Sequence, residues 1–154
     1  MLISKHEFQI FADYHQFYLE DENAPHNVID VWDDEAHKRM LGIEEGLAAV
    51  ATARNMIVPV AVEIHDAEPI LEVENFSRVS ECSLKVVSNN LVILGCTDYL
   101  PEAARIKIEP HIYRVRVRYG NLESISENGL NGEDFYILQL WKDSEIRRAS
   151  TIKA

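Results

Sequence analysis

The chain is expected to fold as an all-β protein, an antiparallel β-sandwich of about eight short strands with one short helix. Three observations lead there. Short runs rich in valine, isoleucine and aromatic residues recur between turn-forming residues. One of them alternates without a break: Tyr113, Val115, Val117 and Tyr119 stand against Arg114, Arg116 and Arg118, the period-two pattern of a strand with two different faces. Regular alternation of strands with long helical segments, the mark of a parallel α/β fold, is absent.

Taken in order, residues 6–18 read as a first strand, with aromatic and β-branched content and loose alternation. Residues 20–31 carry Asp21-Glu22-Asn23 and Pro25 and read as a loop. Residues 33–41 are the helix. Asp33 is a good N-cap, Asp34 and Glu35 fall in the positive first turn, Lys38 and Arg39 fall near the negative end, and Gly42 suits a left-handed position after the last turn. At about two turns the helix needs packing to persist.

Residues 46–53 and 56–65 read as a strand pair joined at Arg54-Asn55, the second with Val58, Val60, Val62 and Ile64 on one side. Pro59 implies an edge or a bulge there. Residues 66–75 form an acidic loop. Residues 78–87 and 91–97 read as a hairpin turning at Ser88-Asn89-Asn90, a register that sets Leu84 against Leu94 and Cys82 against Cys96. Residues 105–109 form a short strand, 121–133 a long loop with two Asn-Gly pairs, and 135–141 the final strand. Residues 143–154 are expected to be a frayed tail of the single domain 1–154.

A chain of 154 residues is long enough to bury roughly 68–70% of its unfolded surface in one domain. The formal charge of −11 argues against direct nucleic-acid binding and against an anionic membrane surface. It favours a basic protein partner. Two cysteines make no disulfide framework, and the start lacks an apolar leader, so a cytoplasmic location is expected.

The charge is concentrated. Residues 20–45 hold nine acidic side chains against Lys38 and Arg39. Asp30, Asp33, Asp34 and Glu35 surround Trp32, which suits a partner-binding face in which charge steers the encounter and the ring supplies buried area. The plainer alternative is a solvated loop and a capped helix, with Trp32 in the core. Asp13 and His15, with Glu63 and His65, are candidates for a pocket that takes a small molecule or carbohydrate. A structural, hydrogen-bonded His15 is the plainer alternative. No metal-ligand spacing, phosphate loop or nucleophile motif is present, so neither a metal nor a cofactor is expected, and the protein is not expected to be an enzyme. Arg114, Arg116 and Arg118 are expected to pair across strands with carboxylates. Cys82 and Cys96 are expected to be inert thiols.

At Tyr14-His15-Gln16-Phe17, then Trp32-Asp33-Asp34-Glu35-Ala36, then the segment through Arg54-Asn55, the chain resembles the competence protein J family, the DNA-entry nuclease inhibitors. The resemblance covers roughly residues 8–65. It implies a small inhibitor that binds a DNA-degrading nuclease, and the acidic face above would then occupy a basic cleft by standing in for DNA phosphates. The longer C-terminal strands and the 121–133 loop depart from the family. An immunity or interaction protein for another toxin or enzyme would need the same acidic face.

Overall fold

The structure, a computed structural model, describes residues 1–154. It contains eleven strands: β1 (Leu2–Phe11), β2 (Gln16–Asp21), β3 (Leu41–Glu44), β4 (Leu47–Ala51), β5 (Ile57–His65), β6 (Arg78–Val86), β7 (Asn90–Gly95), β8 (Ala104–Lys107), β9 (His111–Gly120), β10 (Phe135–Lys142) and β11 (Ser150–Lys153). One α-helix, α1 (Asp34–Arg39), lies between β2 and β3. The strands form a six-stranded sheet in the order β1-β5-β10-β9-β6-β11 and a five-stranded sheet in the order β3-β4-β2-β7-β8. All neighbours are antiparallel except β10 and β5, which run parallel. The fold is the all-β sandwich that the strand pattern predicts, with eleven strands in place of eight. No helix is long and apolar enough to cross a membrane.

The main core lies between the sheets. Val58, Val60, Val62 and Ile64 of β5 and Tyr113, Val115, Val117 and Tyr119 of β9 meet Phe17 and Leu19 of β2 and Leu91 and Ile93 of β7. Both alternating patterns thus identify the inward faces correctly. A second, smaller core sits on the far side of the five-stranded sheet, where Tyr18, Leu47, Ala49, Val92 and Leu94 are roofed by Val31, with Val28 and Trp32 against them. Residues 22–32 therefore act as a cover.

Strand partnership departs from expectation in several places. Residues 6–18 are two strands in different sheets. The chain breaks at Ala12 and turns through Tyr14 and His15, both with positive φ (57° and 58°). Residues 46–53 and 56–65 do not pair, because β4 joins β2 and β3 while β5 joins β1 and β10. The hairpin at this place is β3–β4, which turns at Glu45-Gly46, with Glu44 opposite Leu47 and Gly46 at φ 67°.

Residues 78–87 and 91–97 are likewise split. β6 pairs with β9 and β11, and β7 pairs with β2 and β8. Asp21 holds the crossing point, accepting from the backbone N–H groups of Val87 (3.2 Å) and Ser88 (3.1 Å) and from the Ser88 hydroxyl. Cys82 consequently faces Val115, and both cysteines are free. The strands share a core from opposite sheets, and facing across a core leaves the same one-sided apolar pattern as lying edge to edge.

Three local expectations also change. Pro59 is in the interior strand β5, opposite Gln9 and one residue before the β10 ladder begins at Val60. The left-handed residue after α1 is Met40 (φ 57°). Gly42 is needed for space, since a Cβ there would lie 2.6 Å from the Val31 carbonyl oxygen. The segment expected to fray contains β11, which pairs with β6.

Candidate protein-binding surface

Asp33 caps α1 as its position predicts, its carboxylate accepting from the Ala36 N–H at 2.8 Å. Six residues are too few for a helix to stand alone. The other end explains its persistence. The Lys38 carbonyl accepts from Arg78 (2.6 Å), the Arg39 carbonyl from the Ser80 hydroxyl (2.8 Å), and the Met40 carbonyl from the Tyr119 hydroxyl (2.6 Å). Side chains of β6 and β9 thus satisfy carbonyls that the short helix leaves open. Asp34 and Glu35 are exposed in the first turn. The exposed Lys38–Glu35 pair (3.4 Å) adds little stability.

Trp32 is half-buried beside this helix. Its indole N–H donates to Gln16 Oε1 at 2.8 Å, an oxygen that also accepts from the Tyr18 hydroxyl at 2.7 Å. The ring lies 5.5 Å from that of His37. It is therefore held in a fixed orientation, partly in the second core. Asp30 is exposed, next to an almost fully exposed Ile29 (88%). Asp30, Trp32, Asp33, Asp34 and Glu35 thus lie along one continuous stretch from the end of the cover into α1.

The acidic segment is not all surface. Glu20 and Asp21 are buried. Glu20 lies beneath the cover, 2.6 Å from His26 Nδ1, with its pKa raised by burial against the opposing pull of His26. Glu22 is tied to Arg105 at 2.8 Å, which holds its carboxyl below the usual value. Sequence reasoning could not separate these from Asp30, Asp34 and Glu35, because their partners, His26, Val87, Ser88 and Arg105, reach them only in the folded chain.

Asp13, His15, Glu63 and His65 are not brought together. His15 Nδ1 lies 3.3 Å from the Thr52 carbonyl, at the end of the sandwich where β5 begins. Glu63 and His65 lie near the other end of β5, about 20 Å along the strand. There Glu63 accepts from His65 (2.9 Å), Gln139 (3.3 Å) and Arg118 (3.4 Å). Burial alone would raise the Glu63 pKa, but those partners outweigh it and hold the carboxyl below its ordinary value. His65 also borders a cleft of about 340 Å³ with Ile64, Lys107, Glu109 and Lys142, which neither Asp13 nor His15 reaches. No three His, Cys, Asp or Glu side chains converge as a metal site.

The arginine stripe is buried. Arg114 and Arg116 bond Glu81 at 3.1 and 2.8 Å. Arg116 also bonds Glu68 (3.0 Å) and lies 4.8 Å over the Trp141 ring. Arg118 lies 4.8 Å over Phe76. The Glu81 pairs are the cross-strand pairs expected of the stripe, and the contacts with Glu68 and Phe76 come from the segment that covers it. The Cys82 thiol is fully buried and pushed up to about 12 by that burial, as suits an inert thiol.

No family model and no curated protein sequence matches the chain. Two solved structures share its fold. The first is ComJ of Bacillus subtilis, an inhibitor of the DNA-degrading activity of NucA. ComJ aligns with a TM-score of 0.68 over 93% of this chain and 98% of its own, at 17% identity. The crocagin biosynthetic gene J product aligns with a TM-score of 0.62 over 91% and 97%, at 18% identity. At this identity the likeness is one of fold.

Proposed function

We propose that the protein is an inhibitor that binds a DNA-degrading nuclease through the acidic stretch from Asp30 to Glu35. The observation that carries the reading is the near-complete overlap with the fold of a nuclease inhibitor, ComJ. The surface supports it. Asp34 and Glu35 project from a helix held in place by β6 and β9, Asp30 precedes a fixed Trp32, and the chain carries a formal charge of −11. A nuclease that grips DNA needs a basic cleft, and carboxylates on a rigid frame can stand where phosphates lie. The ring of Trp32 then serves as the apolar anchor among charges that steer the approach.

The test is retention of DNA-cleaving activity from host lysate on the immobilised protein at low salt, with release at high salt and inhibition of the released nuclease by added protein. The triple variant Asp30→Lys, Asp34→Lys and Glu35→Lys should lose both retention and inhibition while keeping its thermal unfolding profile. DNA-cleaving activity that passes through unretained and uninhibited would overturn the reading. Binding that ignores salt would remove its electrostatic basis. Asp33 is left intact in this variant because it caps α1, so a substitution there would confuse lost charge with lost structure.

A further inference from the structure

We infer, independently of the nuclease reading, that the exposed edge of β1 pairs antiparallel with the β1 edge of a second copy of this chain, centred on His6, to form a dimer. β1 spans ten residues and is an outer strand of the six-stranded sheet, paired only with β5. A long unpaired edge presents a row of open N–H and C=O groups.

The direction of those groups follows from the ladder. The Ala12 N–H donates to the Met56 carbonyl, and the register from Ser4 to Phe11 runs on without a bulge. Backbone polarity alternates along an antiparallel pair. Ile10, Phe8 and His6 therefore direct their backbone groups at β5, while Phe11, Gln9, Glu7 and Lys5 direct theirs outward. Pro59 agrees with this phase. It lies opposite Gln9, in a pair that makes no ladder bond, so its missing N–H costs β1 nothing.

A two-fold axis centred on any residue of this register matches outward residues with outward residues. Centring on His6 sets Lys5 opposite the second copy's Glu7 and Glu7 opposite its Lys5. Both charges stand on the solvent face, 43% and 75% exposed, 3.5 Å apart within one chain. The symmetry thus creates two further opposite-charge pairs. Centring on Glu7 would set Glu7 against Glu7, and centring on Lys5 would set Lys5 against Lys5. Like charges directly opposite destabilise a sheet, and centring on Phe8 would set Glu7 opposite Gln9 and Lys5 opposite Phe11, so His6 is the centre that pairs both charges with opposite charges. The two six-stranded sheets would then form one continuous sheet of twelve. The inner side of β1 packs toward β7, whereas α1 packs on β3 at the far edge of the five-stranded sheet. The acidic faces of both copies therefore stay free, and the dimer presents two of them.

Light scattering and sedimentation equilibrium of the full chain, over a wide concentration range, test this. A dimer is expected. Glu7→Lys, which turns both new cross-copy pairs into lysine facing lysine, should weaken it by about tenfold. The double variant Lys5→Glu with Glu7→Lys should restore it. Glu7→Pro, which removes an outward N–H without touching the β5 ladder, should abolish it. Thermal unfolding of each variant checks that the fold is kept. A monomer at every concentration would overturn the inference, and so would a dimer indifferent to Glu7→Lys and Glu7→Pro.

Discussion

The outer faces of the two sheets are both covered, and by opposite chemistry. Over the six-stranded sheet the cover, residues 66–76, lies on charges. Arg116 reaches Glu68 and the Pro69 carbonyl, Phe76 stacks on Arg118, and Arg114 donates to the carbonyls of Arg147 and Arg148 ahead of β11. Over the five-stranded sheet the cover, residues 22–32, lies on Tyr18, Leu47, Val92 and Leu94, with the Glu20–His26 pair as its polar point. The contrast shows where each face stores its stability. An apolar cover gains by removing area from water, and its losses scale with the atoms removed. A charged cover gains little net from each pair but loses heavily when one partner is deleted, because the other stays buried without a counter-charge.

The largest expected effect therefore lies under the charged cover. Glu81→Leu should lose about 3–5 kcal/mol in urea unfolding, because Arg114 and Arg116 then stay buried without the carboxylate they share. Replacing all three, Arg114→Met and Arg116→Met with Glu81→Leu, should recover most of that loss. If the triple variant is as unstable as the single, packing of the guanidinium against Trp141 dominates over its charge.

Under the apolar cover, Val31→Ala removes two buried methyl-sized groups from a fully packed site. It should cost roughly 1.6 kcal/mol by area, with no dependence on salt. A salt-dependent loss would mean that the cover is held by its charges instead.

Where the cover runs into α1, Asp33→Ala should cost about 1 kcal/mol through the lost cap. The same unfolding experiment checks it. The smallest effect is expected from Glu20→Gln, and its sign is set by pH. The folded-state pKa of Glu20 lies above the ordinary carboxylate value because of burial. Its contribution to stability is therefore fully present below the ordinary value and is lost as pH rises through the raised one. At neutral pH the glutamine variant should match or exceed the native chain, and that advantage should vanish on acidification toward about pH 4. An advantage that grows in acid would reverse the assignment.

The candidate surface was legible in part. Asp33 as a cap and Asp34 and Glu35 as exposed first-turn charges follow from local rules that need only neighbouring residues. Trp32 was legible as an aromatic ring among charges but not as a ring fixed by Gln16, a residue sixteen positions away. Glu20 and Asp21 looked like members of the same acidic surface, and they are interior groups with dedicated partners. The stripe of Arg114, Arg116 and Arg118 was legible as paired charge, but not as buried charge. Alternation says which side a residue faces, and it does not say what lies on top of that side.

The same division runs through the fold. Residue order alone dictated the faces: Val58 to Ile64 and Tyr113 to Tyr119 point to the core because side chains alternate along any strand. It also dictated the N-terminus of α1, the two-sided character of the chain and its net charge. Partnership was settled only in three dimensions. β4 and β5, and β6 and β7, are neighbours in sequence that lie in opposite sheets. Backbone hydrogen bonds do not read side chains, and the two inner faces of a sandwich carry the same apolar signal. What selected among the pairings was the placement of a few distant contacts, such as Asp21 with Val87 and Ser88 or Tyr119 with the end of α1, whose partners become neighbours only when the whole chain has closed.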